Sequence, residues 1–249
     1  MGEPQFKWMF EIVGPVLWFL LIVWFLIEAK RNGKLSIGAL LLFGGTSMFW
    51  QETYADWGGY VLFNSAFVQM PWWGHTPFTS PSKPFALVAS YGWFFGPVLL
   101  LFIALAEWLF KKQPSLGKFG AALITTGPLF YLWDLGIEHY STSFGWWQYV
   151  VVNGPSLANA RSAFPTVWPI VGMSFSIVVM IWVLMLRDDS GVWWHERVFG
   201  VHAAVRGVAR ELRRAFAWAI TMNAVFFFLT TLPNILFRIF TGINTPLIP

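Results

Sequence analysis

Stretches of about twenty apolar residues recur along the whole 249-residue chain, and this repetition limits its fold more than any single motif does. In a bilayer core every backbone N–H and C=O must be bonded within the protein, so segments of this length read as helices. Six can be drawn, at about 8–28, 36–57, 85–110, 119–140, 166–186 and 215–237, each ending in charges or in Gly/Pro-rich sequence. Residues 1–249 are then expected to form one domain of the all-α class, a polytopic integral membrane helical bundle with no separate soluble domain. Only 11% of the residues are charged, where a soluble domain carries about 25%.

The first apolar segment is too long for a signal-peptide core, and Met1–Lys7 lacks a basic n-region, so it reads as a retained span. The formal charge of +4 does not point to nucleic acid, because 12 of the 16 Lys and Arg residues fall in three alternate loops between the spans. By the positive-inside rule those loops are cytoplasmic, which puts both termini and the loops after spans two and four on the outer face. In the inner loop, Val198, Val201, Val205, Val208 and Leu212 recur at helical steps, with Arg206, Arg210, Arg213 and Arg214 largely off that stripe. This pattern predicts an amphipathic cytoplasmic helix over about 197–214, lying on membrane lipids.

Against this apolar background four carboxyl groups stand out. Glu52 and Asp56 lie near the end of span two, and Asp134 and Glu138 near the end of span four. A spacing of four places each pair on one helical face. Ionised carboxylates in a bilayer cost several kcal/mol by common estimates, so they face a protein interior or a wet cavity and mark a working site. Spans two and four both run outward, so the pairs come to similar depth and are expected to build one site. Desolvated carboxyls can hold and deliver a proton near neutral pH, which suits acid–base chemistry on an apolar substrate.

The neighbouring residues supply candidate binding groups: Trp50, Tyr54 and Trp57 around the first pair, and Trp133, His139 and Tyr140 around the second. Trp146, in the loop after span four, and Asn234, near the end of span six, reach the same depth. The outer loops 58–84 and 141–165, rich in Gly, Pro and aromatic residues, are expected to roof an outward-facing pocket. With 17 Trp and 26 Phe the chain has more aromatic surface than two interfacial belts need, and aromatic faces shield cationic intermediates. Glu11 near the outer face is a further candidate or an interfacial anchor. Asn223 and Asn234 suit hydrogen bonds across helices.

Several chemistries are disfavoured. Absent cysteine excludes disulfides, thiolate metal sites and cysteine nucleophiles. No P-loop, Gly-x-Ser-x-Gly elbow or dinucleotide fingerprint occurs, and the only adjacent acids, Asp188-Asp189, lie in a basic loop unsuited to a magnesium–diphosphate site. The four histidines do not pair across spans, so bis-histidine haem ligation is disfavoured. A metal site built from the four carboxylates and His139 stays open as an alternative.

The segments Gly44-Gly45-Thr46-Ser47-Met48-Phe49-Trp50-Gln51-Glu52, Ala55-Asp56-Trp57, Pro71-Trp72-Trp73-Gly74 and Ser80-Pro81-Ser82-Lys83-Pro84 together resemble the AveC-type spirocyclase family of actinobacterial membrane proteins. Gly145-Trp146-Trp147 and Ala217-Trp218-Ala219-x-x-Met222-Asn223 fit the same resemblance, which covers most of the chain. It implies cyclisation or dehydration of a lipophilic polyketide- or terpenoid-like substrate in a bacterial cell membrane, without a cofactor. The expected function is therefore a cofactor-independent cyclase or dehydratase using Glu52, Asp56, Asp134 and Glu138. A lipid or small-molecule carrier, or a membrane subunit of a larger complex, is the alternative from another class.

Overall fold

The computed structural model describes residues 1–71, 77–201 and 207–249. The Trp72-Trp73-Gly74-His75 part of the first outer loop, and His202, Val205 and Arg206 of the inner segment, lie outside the described residues. The described chain is mostly helical and carries only two small two-stranded sheets.

A π turn at Met9–Val13 leads into α1 (Gly14–Asn32), which Gly33 ends in the left-handed conformation at φ 67°. Ser36 caps α2 (Ile37–Ser47) by accepting from the Ala39 N–H at 3.3 Å. A 3-10 turn at Phe49–Gln51 separates α2 from α3 (Glu52–Gly59). Strand β1 (Val61–Phe63) follows, then α4 (Leu87–Lys112), α5 (Gly117–Phe144), β2 (Trp147–Tyr149), β3 (Ser156–Ala158), β4 (Ala163–Pro165) and α6 (Ile170–Leu184). The chain closes with α7 (Trp194–Val198), α8 (Val208–Phe226), a π turn at Phe227–Thr231 and α9 (Leu232–Thr241).

Among the described residues, three helices are long and apolar enough to cross a membrane: Met9–Asn32, Leu87–Lys112 and Val208–Thr241. The first presents Phe19, Leu20 and Trp24 outward, a surface suited to lipid. The other expected spans differ for identifiable reasons. Span two is broken just before Glu52, where Trp50 Nε1 (3.0 Å) and Gln51 Nε2 (2.9 Å) both donate to Asn223 Oδ1 on α8. Asn223 in turn donates to Ser47 Oγ at 2.7 Å, and Thr231 donates to Gln51 Oε1 at 3.0 Å, so a cross-helix polar network takes the place of helix continuity. Helix α5 is 28 residues long but carries the second acid pair, and α6 has only 15 residues. In the last span the widened π turn lies directly ahead of Pro233, whose ring cannot donate to the preceding turn.

The inner amphipathic helix expected over 197–214 is corrected. Helix α7 stops at Val198, Gly200 turns at φ 62°, and α8 starts at Val208 behind Gly207 at φ 65° and runs straight on into the last span. Arg214 is buried against Glu196 instead of lying on a lipid surface, with Nε to Oε1 at 3.0 Å. His195, beside this pair, is fully buried; its ring meets the Trp218 ring edge-on at 4.7 Å, and neither ring nitrogen has a partner.

Burial lowers the His195 pKa from 6.5 to about 4, with Glu196 opposing the shift and Arg214 adding to it. The unfolded chain therefore takes up this proton first, and the folded state is expected to lose roughly 3 kcal/mol as pH falls from about 6.5 to 4. Thermal unfolding across that window checks this: a His195→Phe variant should lack the corresponding part of the acid-induced drop in melting temperature.

Close helix contacts set the interior. An added Cβ on Gly45 of α2 would stand 2.9 Å from the Tyr91 carbonyl oxygen of α4, so only glycine lets these two backbones approach. One apolar cluster, including Leu40, Phe95, Ile177 and Trp218, joins α2, α4, α6 and α8. A second, including Phe10, Phe63, Tyr149 and Phe164, packs under the loops. The two loops expected to form a roof are tied together: β1 pairs antiparallel with β2, in the register Val61 to Tyr149 and Phe63 to Trp147. Asn64 extends the tie by donating to the Gly145 carbonyl at 2.9 Å.

Candidate active site

A cavity of about 160 Å³ lies where the two apolar clusters meet beneath the paired loops. Glu52 and Asp56 reach its wall from successive turns of α3, and Asp134 and Glu138 from successive turns of α5. Helix α3 is held against α9 by a close contact at Gly58, where a Cβ would stand 2.4 Å from the Asn234 backbone. That contact brings the Asn234 side chain to the same wall. The rest of the lining is mainly aromatic, with Phe94 and Phe95 from α4 and Trp147 and Tyr149 from β2.

The carboxyl groups fall into two kinds by their partners. Tyr91 of α4 donates its hydroxyl to Glu52 Oε2 in a short hydrogen bond. Glu138 Oε2 accepts from Trp147 Nε1 at 2.8 Å, and the Tyr149 hydroxyl is its second donor. Burial, then the charges of Glu138 and Asp134, push the Tyr149 hydroxyl well above the ordinary phenol range, so it remains a proton donor at neutral pH. Asp56 and Asp134, each 4% exposed, are different. Among the described residues Asp56 Oδ2 is buried without a hydrogen-bond partner, as is Asn234 Oδ1.

No Lys, Arg or His lines the cavity among the described residues. A positive charge acting on Asp56 is that of Lys83, in the loop between β1 and α4 and itself buried; burial lowers the Lys83 pKa and Asp56 works against that shift. Among the described residues no group of three or more His, Asp or Glu side chains is arranged to hold a metal ion. His139 does not line the cavity; its ring meets those of Tyr140 and Phe164.

Of the expected binding residues, Trp146 and Asn234 line the cavity, whereas Trp50, Tyr54, Trp57, Trp133, His139 and Tyr140 do not. Helical geometry explains this, because successive residues diverge by about 100° and share a face only at steps of three and four. Trp50 bonds Asn223 and meets Tyr54 edge-on. Trp57 lies 4.0 Å from the Arg238 guanidinium and donates to the Pro249 carbonyl at 2.8 Å. Trp133 packs on Phe94 at the outer surface, and Tyr140 is 61% exposed. Glu11 serves the fold, accepting from the Val68 N–H at 2.6 Å.

Tyr91 and Tyr149 were not among the expected site residues. The signal for Tyr91 is a phenol hydroxyl, next to Ser90, inside the apolar run of α4. Tyr149 reaches the site only through the β1–β2 pairing, which no local pattern announces.

A family model described as "Spirocyclase AveC-like" matches residues 33–249. No curated protein and no solved structure matches the chain.

Proposed function

Because the chain belongs to the AveC-like spirocyclase family, we propose that it is a membrane-embedded, cofactor-independent cyclase or dehydratase acting on a lipophilic hydroxyketone. The observation that carries this reading is the convergence of four carboxyls from two helices on one aromatic-walled cavity, with Asp56 Oδ2 buried without a hydrogen-bond partner among the described residues. In this reading six segments cross the membrane, the short ones included, with both termini and the cavity mouth on the outer side of a bacterial cell membrane. Lipids and an apolar substrate are its partners.

Asp134, as the acid, protonates the substrate carbonyl while a substrate hydroxyl adds to its carbon and gives its proton to Asp56. The hemiketal hydroxyl then takes a proton and leaves as water. The second hydroxyl closes on the resulting oxocarbenium ion and returns its proton to a carboxylate, so the sum is loss of one water with no redox change. Glu52 and Glu138, fixed by Tyr91, Trp147 and Tyr149, supply negative charge where the cation develops, and the aromatic walls exclude bulk water. Holding a flexible chain folded in the cavity lowers the entropic cost of closure.

Purified protein in nanodiscs, incubated with lipophilic dihydroxyketones and no added cofactor, tests this by mass spectrometry. Products lighter than substrate by one water, formed faster than in empty nanodiscs, are expected. Movement of substrate or protons across sealed vesicles without any product would replace the cyclase reading with a carrier.

A further inference from the structure

The cavity has an imbalance that goes beyond a cyclisation site. Its described wall carries four carboxyl groups and no cationic side chain. Donors from the protein are directed to Glu52 and Glu138, while among the described residues the acceptors Asp56 Oδ2 and Asn234 Oδ1, and the donor Trp93 Nε1, are buried with nothing bonded to them. An acceptor buried without a donor loses its hydration with no return, so each is a position a ligand would satisfy. Phe, Tyr and Trp side chains make up much of the remaining lining, beside aliphatic residues such as Val61, Leu87, Ile137 and Met173. Carboxylates beside aromatic faces in a water-poor cavity are the combination that selects organic cations over neutral molecules of equal shape.

We propose that this cavity binds lipophilic monocations, namely ammonium ions bearing small alkyl groups. Asp56 provides the unpaired carboxylate oxygen, Asp134 a second acceptor oxygen, and Phe94, Phe95 and Trp147 the ring contacts. The volume of about 160 Å³ accommodates a head of a few carbons around one nitrogen. Such a ligand would also compete with substrate if the cyclase reading holds, because it carries the charge of the oxocarbenium ion. The binding itself rests on the cavity alone and survives if no cyclisation is found.

The test is equilibrium dialysis of butyltrimethylammonium and of its uncharged carbon isostere against zwitterionic-lipid nanodiscs with and without the protein. The expected result is roughly tenfold or greater preference for the ammonium ion. That preference should collapse in the D56N/D134N double variant while the isostere still binds, which shows that the cavity persists. If the double variant does not fold, the wild type is titrated instead: the ammonium preference should disappear on acidification as the carboxylates take up protons, with isostere binding unchanged. Equal binding of the two probes, or a preference insensitive to both the substitutions and pH, overturns the proposal. Turnover plays no part in this readout, so its failure and that of the cyclase reading are separable.

Discussion

Asp134→Asn is expected to lower turnover by about 10²- to 10⁴-fold, the usual contribution of a positioned general acid, with little loss of folding stability. Asp134 is 4% exposed and, among the described residues, has no hydrogen-bond donor directed at it, so an amide of the same shape breaks no bond. Loss of activity beside an unchanged melting temperature is therefore the signature of a reacting group, and it would appear in kcat more than in KM. Tyr91→Phe should cost less, because it removes the donor that orients Glu52 and leaves the acid in place. An Asp134→Asn protein that keeps activity within about threefold of wild type would remove Asp134 from the proton-donor role.

Arg214→Leu is expected to destabilise the protein by about 3–5 kcal/mol, enough that little folded protein accumulates. Glu196 is 2% exposed and receives Arg214 Nε at 3.0 Å and Trp218 Nε1 at 2.9 Å. Arg214 also donates to Glu211 Oε2 at 2.8 Å and to the Leu35 carbonyl at 3.1 Å, tying α7 and the α1–α2 turn to α8. Removing the guanidinium takes a charged partner from a buried carboxylate, whereas replacing both residues removes the buried pair together with its desolvation cost. The double variant Arg214→Leu/Glu196→Leu should thus recover part of the loss. Thermal unfolding of the single and double variants in one detergent checks this. A double variant less stable than Arg214→Leu would mean that Glu196 is held mainly by its other partners.

Local pattern carried a defined part of this protein. The acid pairs were legible because a step of four residues fixes a shared helical face wherever the helix lies, and Glu52 with Asp56 and Asp134 with Glu138 do face one cavity. Depth along the chain suggested that the two pairs would come to one level, and the aromatic loops pointed to a roof, which β1 and β2 form by pairing. Proximity in sequence does not bring Trp50, Tyr54, Trp57, Trp133, His139 and Tyr140 to the cavity wall, since a neighbour along a helix points about 100° away. At 197–214 the valine spacing suited a continuous helix but Gly200 and Gly207 turn the chain.

Composition and helical periodicity by themselves determined that the chain is helix-rich and apolar, and which carboxyls share a face, because those properties depend on residues a few positions apart. Which faces meet was decided only by the tertiary structure. Gly45 lets α2 close on α4, Gly58 lets α3 close on α9, and the β1–β2 ladder carries Trp147 and Tyr149 over α5. These contacts join residues far apart in the chain. They put Tyr91 on Glu52, Trp147 on Glu138 and no donor on Asp56 Oδ2, a division of partners that arises from packing between elements and has no counterpart in local spacing.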